Sequence, residues 1–214
     1  MSATDDLFRE LIRDDVSDDD IMFVIRQGAN VNARFSDGGI TPLMIAAEGL
    51  GPEIVRLLIN EGAVIDAQND KGENALMRAA ILNHNADVTY VLLEAGADVN
   101  ITNKDGLTAL MYAANRNPNP KVIIYLMRAG AAINHRDNEY GKTALMMAAW
   151  SNPNPEIVRL LIELGADVHA ENVDGKTALG YADYDDTNRQ RNSEVKSIIW
   201  EAIFTEAIKQ KLKQ

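Results

Sequence analysis

Three histidines, a short acidic cluster and a handful of aromatic and arginine side chains are the residues with chemistry to offer. His135 and His169 stand a repeat apart and could approach one another. Two histidines alone are a weak zinc site, since such a site needs a third protein ligand. His84 sits between two apolar segments and reads as an ordinary loop residue. Asp183, Asp185 and Asp186 supply too few ligands for calcium and lack the glycine spacing of a binding loop, so they read as a solvated turn. No Gly-x-Ser-x-Gly, His-Glu-x-x-His or glycine-rich phosphate loop is present, and the chain has no cysteine. The expectation is therefore a non-enzyme with no catalytic residue, no cofactor and no metal. Recognition chemistry is better represented: Tyr112, Trp150 and Tyr181, with Arg78 and Arg116, are the residue types enriched at protein interfaces.

A repeated phrase places those residues. Thr41-Pro42-Leu43, Asn74-Ala75-Leu76, Thr108-Ala109-Leu110, Thr143-Ala144-Leu145 and Thr177-Ala178-Leu179 follow one another at steps of 33, 34, 35 and 34 residues. Such a period marks a stacked solenoid. Each phrase opens a short apolar helix, expected near 42–49, 75–82, 109–115, 144–150 and 178–184. Thr or Asn suits the N-cap, and Pro42 the first helical position. A second helix is expected near 52–61, 86–95, 119–129, 154–164 and 193–212. Gly62, Gly96, Gly130 and Gly165 close the middle four, and Gly28 an earlier one. Polar tips ending in Gly39, Gly72, Gly106, Gly141 and Gly175 read as reverse-turn fingers. The Asn-rich linkers at Asn115–Pro120 and Ser151–Pro155 are expected at the surface, doing little beyond turning the chain.

The pattern D-G-x-T-A-L-M-x-A-A, then P-E-I-V-R-L-L-I-x-x-G-A-D-V, resembles the ankyrin-repeat family over about residues 18–200. The fold this implies is an all-α ankyrin-repeat solenoid of stacked antiparallel helix pairs joined by β-hairpin-like fingers. Its units divide as an N-terminal cap pair (1–38), central repeats at 39–72, 73–106, 107–141 and 142–175, and a C-terminal capping repeat at 176–214. Met44, Met77, Met111 and Met146, then Gly180, replace the family's usual histidine, and the methionines read as inter-repeat packing. The resemblance also implies non-catalytic protein–protein recognition across the finger tips and the concave first-helix face. By position the candidates are Ile45, Arg78, Tyr112, Met147 and Tyr181 after the Met, and Glu48, Ile81, Asn115, Trp150 and Asp183 after the Ala-Ala pair, with Arg116 beside them.

Both ends look like caps. Leu7, Phe8, Leu11 and Ile12 form one apolar face, the Asp14–Asp20 run precedes a second helix, and Asp20 and Lys196 stand where a central repeat is apolar. Terminal repeats need polar outer faces. Trp200, Phe204 and Ile208 stripe the last helix and are expected either to pack back on the stack or to serve a dimer or partner. Lys209, Lys211 and Lys213 complement its dipole.

Composition narrows the partners. Of the 214 residues, 46% are hydrophobic and 6% aromatic, which suits thin helix layers. The net charge of −11 argues against a nucleic-acid backbone and suits a basic protein partner. No apolar run reaches the roughly 18–20 residues of a membrane span. The acidic start lacks the features of a secretory signal, so the Asn100-Ile101-Thr102 sequon reads as incidental and the expected location is cytoplasmic. A monomer is expected, with a dimer through Trp200, Phe204 and Ile208 as the alternative. The alternative function is a regulatory or inhibitory subunit, such as a toxin-neutralising protein, whose acidic surface blocks a basic site.

Overall fold

A computed structural model describes residues 2–13, 15–35, 38–183 and 189–212, of Arg189 the backbone alone. Among the described residues are twelve helices and no strand: α1 (Ala3–Leu11), α2 (Asp18–Arg26), α3 (Pro42–Gly49), α4 (Pro52–Asn60), α5 (Ala75–Leu82), α6 (Ala86–Glu94), α7 (Ala109–Arg116), α8 (Pro120–Arg128), α9 (Ala144–Ser151), α10 (Glu156–Glu163), α11 (Ala178–Tyr181) and α12 (Arg189–Lys211). They stack in two columns. The first helices α3, α5, α7, α9 and α11 pack in series, as do the second helices α2, α4, α6, α8, α10 and α12.

Local chemistry sets the helix ends. The side chains of Thr41, Asn74, Thr108 and Thr143 accept the backbone N–H of Met44, Met77, Met111 and Met146. The methionines themselves are at most 1% exposed, so packing between layers holds the position. Each second helix from α4 to α10 ends on a glycine. At α4, Gly62 takes φ +88, and the Ala63 N–H reaches back to the carbonyl of Leu58 at 2.9 Å. A side chain at Gly62 would be strained in that left-handed conformation, and the bond behind it satisfies a carbonyl that the helix leaves free.

Fingers close on themselves and then join. In four of them Asn69, Asn103, Asp137 and Asn172 each accept two backbone N–H groups; Asn103 takes those of Asp105 and Leu107 at 3.0 and 2.8 Å. Backbone bonds then link neighbours: Asp70 N–H to Gly38, Lys104 to Lys71, Asn138 to Asp105 and Val173 to Tyr140, all at 2.9–3.0 Å.

The Asn-rich linkers do much more than turn the chain at the surface, the role their composition implies. Asn83, Asn117 and Asn152 are 7%, 0% and 0% exposed. Asn83 donates its side-chain amide to the carbonyls of Ala47 and Leu50 at 3.1 and 3.0 Å. Asn117 does the same to Ala80 and Asn83 at 2.9 and 3.1 Å, and Asn152 to Ala114 and Asn117 at 2.9 and 3.0 Å. The carbonyls near the C-terminus of one first helix, orphaned by the end of the helix, are thus satisfied by the next repeat. Arg191 ends the ladder: its guanidinium donates to the carbonyls of Asn152, Ala148 and Ala149 at 2.5, 2.8 and 3.2 Å. Arg191 lies within α12, which among the described residues runs from Arg189, four residues ahead of the helix start read from the sequence.

On α10, Leu160 is only partly buried, whereas its neighbour Leu161 is fully enclosed. Trp200, Phe204 and Ile208 do not pack back on the stack; they are 57%, 68% and 42% exposed, while Val195, Ile198 and Ile199 hold α12 through another face. At the other end, Asp20 accepts the backbone N–H of Ser17 at 3.0 Å in a capping box rather than simply facing water. Asp14 and Lys213 lie outside the described residues.

Candidate functional site

Where α5, α7 and α9 lie side by side, their exposed edges and the fingers that precede α7 and α9 enclose an open groove of about 360 Å³. Ile81, Leu107, Met111 and Met147 make its apolar floor, and Tyr112, Asn115, Arg116 and Trp150 stand along it. Asp105, Asp137, Glu139 and Lys142 contribute from the fingers. Alanines after each Met keep the first helices close, so this edge is formed by successive repeats at one pitch.

Trp150 is the prominent side chain of the groove, 38% exposed. Its ring lies 6.3 Å from that of Tyr181, tilted by 46°. The ammonium of Lys142 sits 5.2 Å from the indole centroid and 4.5 Å from that of Tyr140, within cation–π range of both. Sequence reading missed Lys142 because it belongs to the finger and not to the helix positions that vary after the Met. Asp105, Leu107, Asp137 and Glu139 were missed for the same reason. Of these, Asp137 is the tip acceptor of its own finger, bonding the N–H groups of Tyr140 and Lys142 at 2.8 and 3.3 Å. Asp105 and Glu139 remain exposed on the rim.

Tyr112 and Tyr181 are less free than an interface strip requires. The side-chain amide of Asn103 donates to the hydroxyl of Tyr112 at 3.1 Å, and that of Asn172 to the hydroxyl of Tyr181 at 3.0 Å. Tyr112 in turn donates to Glu73 at 3.0 Å. Each tyrosine pins a finger to the helix that follows it. Tyr181 is 9% exposed and Met147 7%, so both belong to the floor and not to the open surface. Burial first, then the Glu73 carboxylate, pushes the phenol of Tyr112 far above its usual value.

Arg78 is engaged as well. It bonds Glu48 through two nitrogens, one at 2.7 Å, and Glu73 at 3.2 Å, so Glu48, Arg78, Glu73 and Tyr112 form one chain of polar contacts across three repeats. The sequence-predicted set therefore divides. Ile81, Tyr112, Asn115, Arg116, Met147 and Trp150 come together in the groove. Tyr181 touches it from beneath Trp150. Ile45 and Glu48 line a separate depression with Leu11 and Ile12 near the N-terminal end. Asp183 is exposed and ion-paired with Lys196. Its companions Asp185 and Asp186 lie outside the described residues.

The histidines find separate partners. His135 Nε2 lies 2.9 Å from the carbonyl of Gly106, and His169 Nε2 3.1 Å from a carboxylate oxygen of Glu206. Among the described residues, no group of three or more His, Cys, Asp or Glu side chains could hold a metal ion, and no helix is long and apolar enough to cross a membrane.

No curated protein matches the chain. The family described as "Ankyrin repeats (3 copies)" matches residues 13–103 and, in a second overlapping stretch, 80–172. Together these span well over half of the 214 residues. With its paired helices, capped phrases and linked fingers, the chain belongs to the ankyrin-repeat family, whose repeats generally serve as protein–protein interaction modules.

Proposed function

We propose that this protein is a non-catalytic recognition module that binds a protein partner in the α5–α7–α9 groove, with Trp150 at the centre of the contact. The observation that carries this reading is the half-open indole beside an apolar floor, bounded by groups of both signs: Asp105, Glu139 and Lys142 from the fingers and Arg116 from the end of α7. Binding hot spots combine a buried aromatic anchor with such a polar rim. A surface already held rigid by the asparagine ladder and by tyrosine-pinned fingers loses little freedom on association, which favours affinity.

The partner is expected to be basic. The chain carries −11 overall, and the indole already accommodates an ammonium from Lys142 at 5.2 Å. A lysine or arginine of the partner would take that place, with Asp105 and Glu139 within the same groove. Electrostatic complementarity of this kind raises the association rate and makes it sensitive to salt.

Affinity capture from the native host, with wild type beside a Trp150→Ala/Arg116→Ala variant, tests the reading. A protein retained by wild type and lost by the variant supports the groove. Equal retention by both moves the site elsewhere on the stack. If the captured protein is an enzyme or toxin, loss of its activity on mixing distinguishes an inhibitory subunit from a passive adaptor.

A further inference from the structure

The finger that precedes α9 brings a second aromatic ring into the neighbourhood of Trp150. Tyr140, 40% exposed, and Trp150, 38% exposed, flank the ammonium of Lys142 at 4.5 and 5.2 Å from their ring centroids. Among the described residues that ammonium makes no hydrogen bond and no ion pair, so the two rings are what hold it. The finger itself is fixed through backbone groups. Asp137 accepts the backbone N–H groups of Tyr140 and Lys142 at 2.8 and 3.3 Å, and the Tyr140 carbonyl accepts the N–H of Val173 at 2.9 Å. Either side chain can therefore be changed without releasing the finger. Carboxylates surround this corner. That of Glu139, by hydrogen bond and then by charge, raises the phenol of Tyr140 above its ordinary value, and Asp174 and Asp137 add smaller pushes in the same direction.

We propose that the Tyr140–Trp150 corner is a binding site for an Nε-trimethylated lysine of the protein partner, with Lys142 as the side chain it displaces. Spacing is the first argument. A carbon bonded to nitrogen stands about 1.5 Å from it and rests on a ring at about 3.5–4.0 Å, so a methylated nitrogen sits about 5 Å from a face it touches. The corner holds a nitrogen at that distance from both rings. Desolvation is the second. A primary ammonium that leaves water for two ring faces gives up hydrogen bonds that nothing here returns, whereas a trimethylammonium has no N–H to lose and keeps its charge for the rings. The third is the sign of the field, which Glu139, Asp137 and Asp174 make negative and so favourable to a cation. A choline lipid offers the same cation with a phosphate beside it, which those carboxylates repel. The proposal rests on the groove reading for its partner, yet the two fail separately: a free trimethyllysine needs no partner, and capture of a partner needs no methylation.

Titration of the whole chain, carrying Trp200→Phe so that Trp150 alone fluoresces, tests it. The probe is Nα-acetyl-Nε-trimethyllysine amide at constant ionic strength, beside the unmethylated lysine amide and the uncharged tert-butyl isostere of the probe. The expected result is a saturable change in Trp150 emission with the methylated probe, and binding weaker by about ten-fold or more for the other two. Tyr140→Ala should weaken the methylated probe by about five- to thirty-fold, the equivalent of one cation–π contact. Lys142→Ala should tighten it several-fold, because the site no longer has an occupant to expel. Equal binding of the methylated and unmethylated amides overturns the proposal, as does equal binding of the uncharged isostere. No saturable change, indifference to Tyr140→Ala, or a Lys142→Ala variant that binds no tighter than the parent also overturns it. Retention of the chain on phosphatidylcholine vesicles, lost in Tyr140→Ala, would overturn it too and assign the corner to a lipid headgroup.

Discussion

Asn152 donates its side-chain amide to the backbone carbonyl of Asn117 at 3.0 Å, and Asn117 does the same to Asn83 at 3.1 Å. One residue type at one place in three successive units therefore ties each inter-helix linker to the one before. Truncation of Asn117 leaves the buried carbonyls of Ala80 and Asn83 without that donor. Asn117→Ala is expected to destabilise the protein by about 2–4 kcal/mol, since each unsatisfied buried group costs about 1–3 kcal/mol. Asn115→Ala, two residues away on the half-exposed groove edge, should change stability by no more than about 0.5 kcal/mol. Urea unfolding of the two variants checks the difference; equal losses would remove the ladder as a structural element.

Leu161 and Leu160 make a second pair of neighbours with different fates. Leu161 is fully buried beneath α10, and Leu161→Ala should cost about 2–5 kcal/mol. Leu160 is partly exposed, so Leu160→Ala should cost distinctly less. Thermal or urea melts of the two single variants decide it.

Tyr112 should make the fold sensitive to alkali. Its phenol is held protonated by burial and by the Glu73 carboxylate, so its folded pKa lies above the ordinary tyrosine value of about 10. The stability linked to that shift is fully present below pH about 10 and declines as pH rises beyond it, because the unfolded chain ionises first. Tyr112→Phe should be somewhat less stable at neutral pH, by about 1 kcal/mol for the lost hydrogen bonds, and should show a shallower decline in strongly alkaline buffer. Melting temperatures of both proteins between neutral pH and pH about 11 test this; parallel curves would contradict it.

Much of the fold was legible because it depends on short-range chemistry. Thr41, Asn74, Thr108 and Thr143 announce helix starts, and Gly62 and its counterparts announce helix ends, from the residues that immediately follow or precede them. The ladder was not legible. Asn117 and Asn152 sit next to prolines in segments that read locally as surface turns, and their burial depends on carbonyls 34–39 residues away. Their recurrence at the repeat period was the available signal. Within the site, Trp150 was found from the positions that vary after the Ala-Ala pair, and Arg116 as the arginine flanking the aromatic residues. Lys142 was not, because the finger brings it over the indole from outside that helix. Tyr112 and Tyr181 were read as open aromatics; the finger asparagines that bind their hydroxyls lie nine residues earlier in each case.

Trp150→Ala should leave stability nearly unchanged, within about 1 kcal/mol, because the ring stands at a groove lip and no buried hydrogen bond depends on it. A loss as large as that of Leu161→Ala would make the indole a core element and withdraw it from the site.

The most direct test of the groove uses Trp150 as its own reporter. The chain has two tryptophans, so Trp200→Phe leaves the groove indole alone to fluoresce. Titration with the protein captured by wild type should shift and saturate that emission, with a midpoint matching the affinity measured by a label-free method. Binding at full affinity with no change in Trp150 emission would place the partner outside the groove.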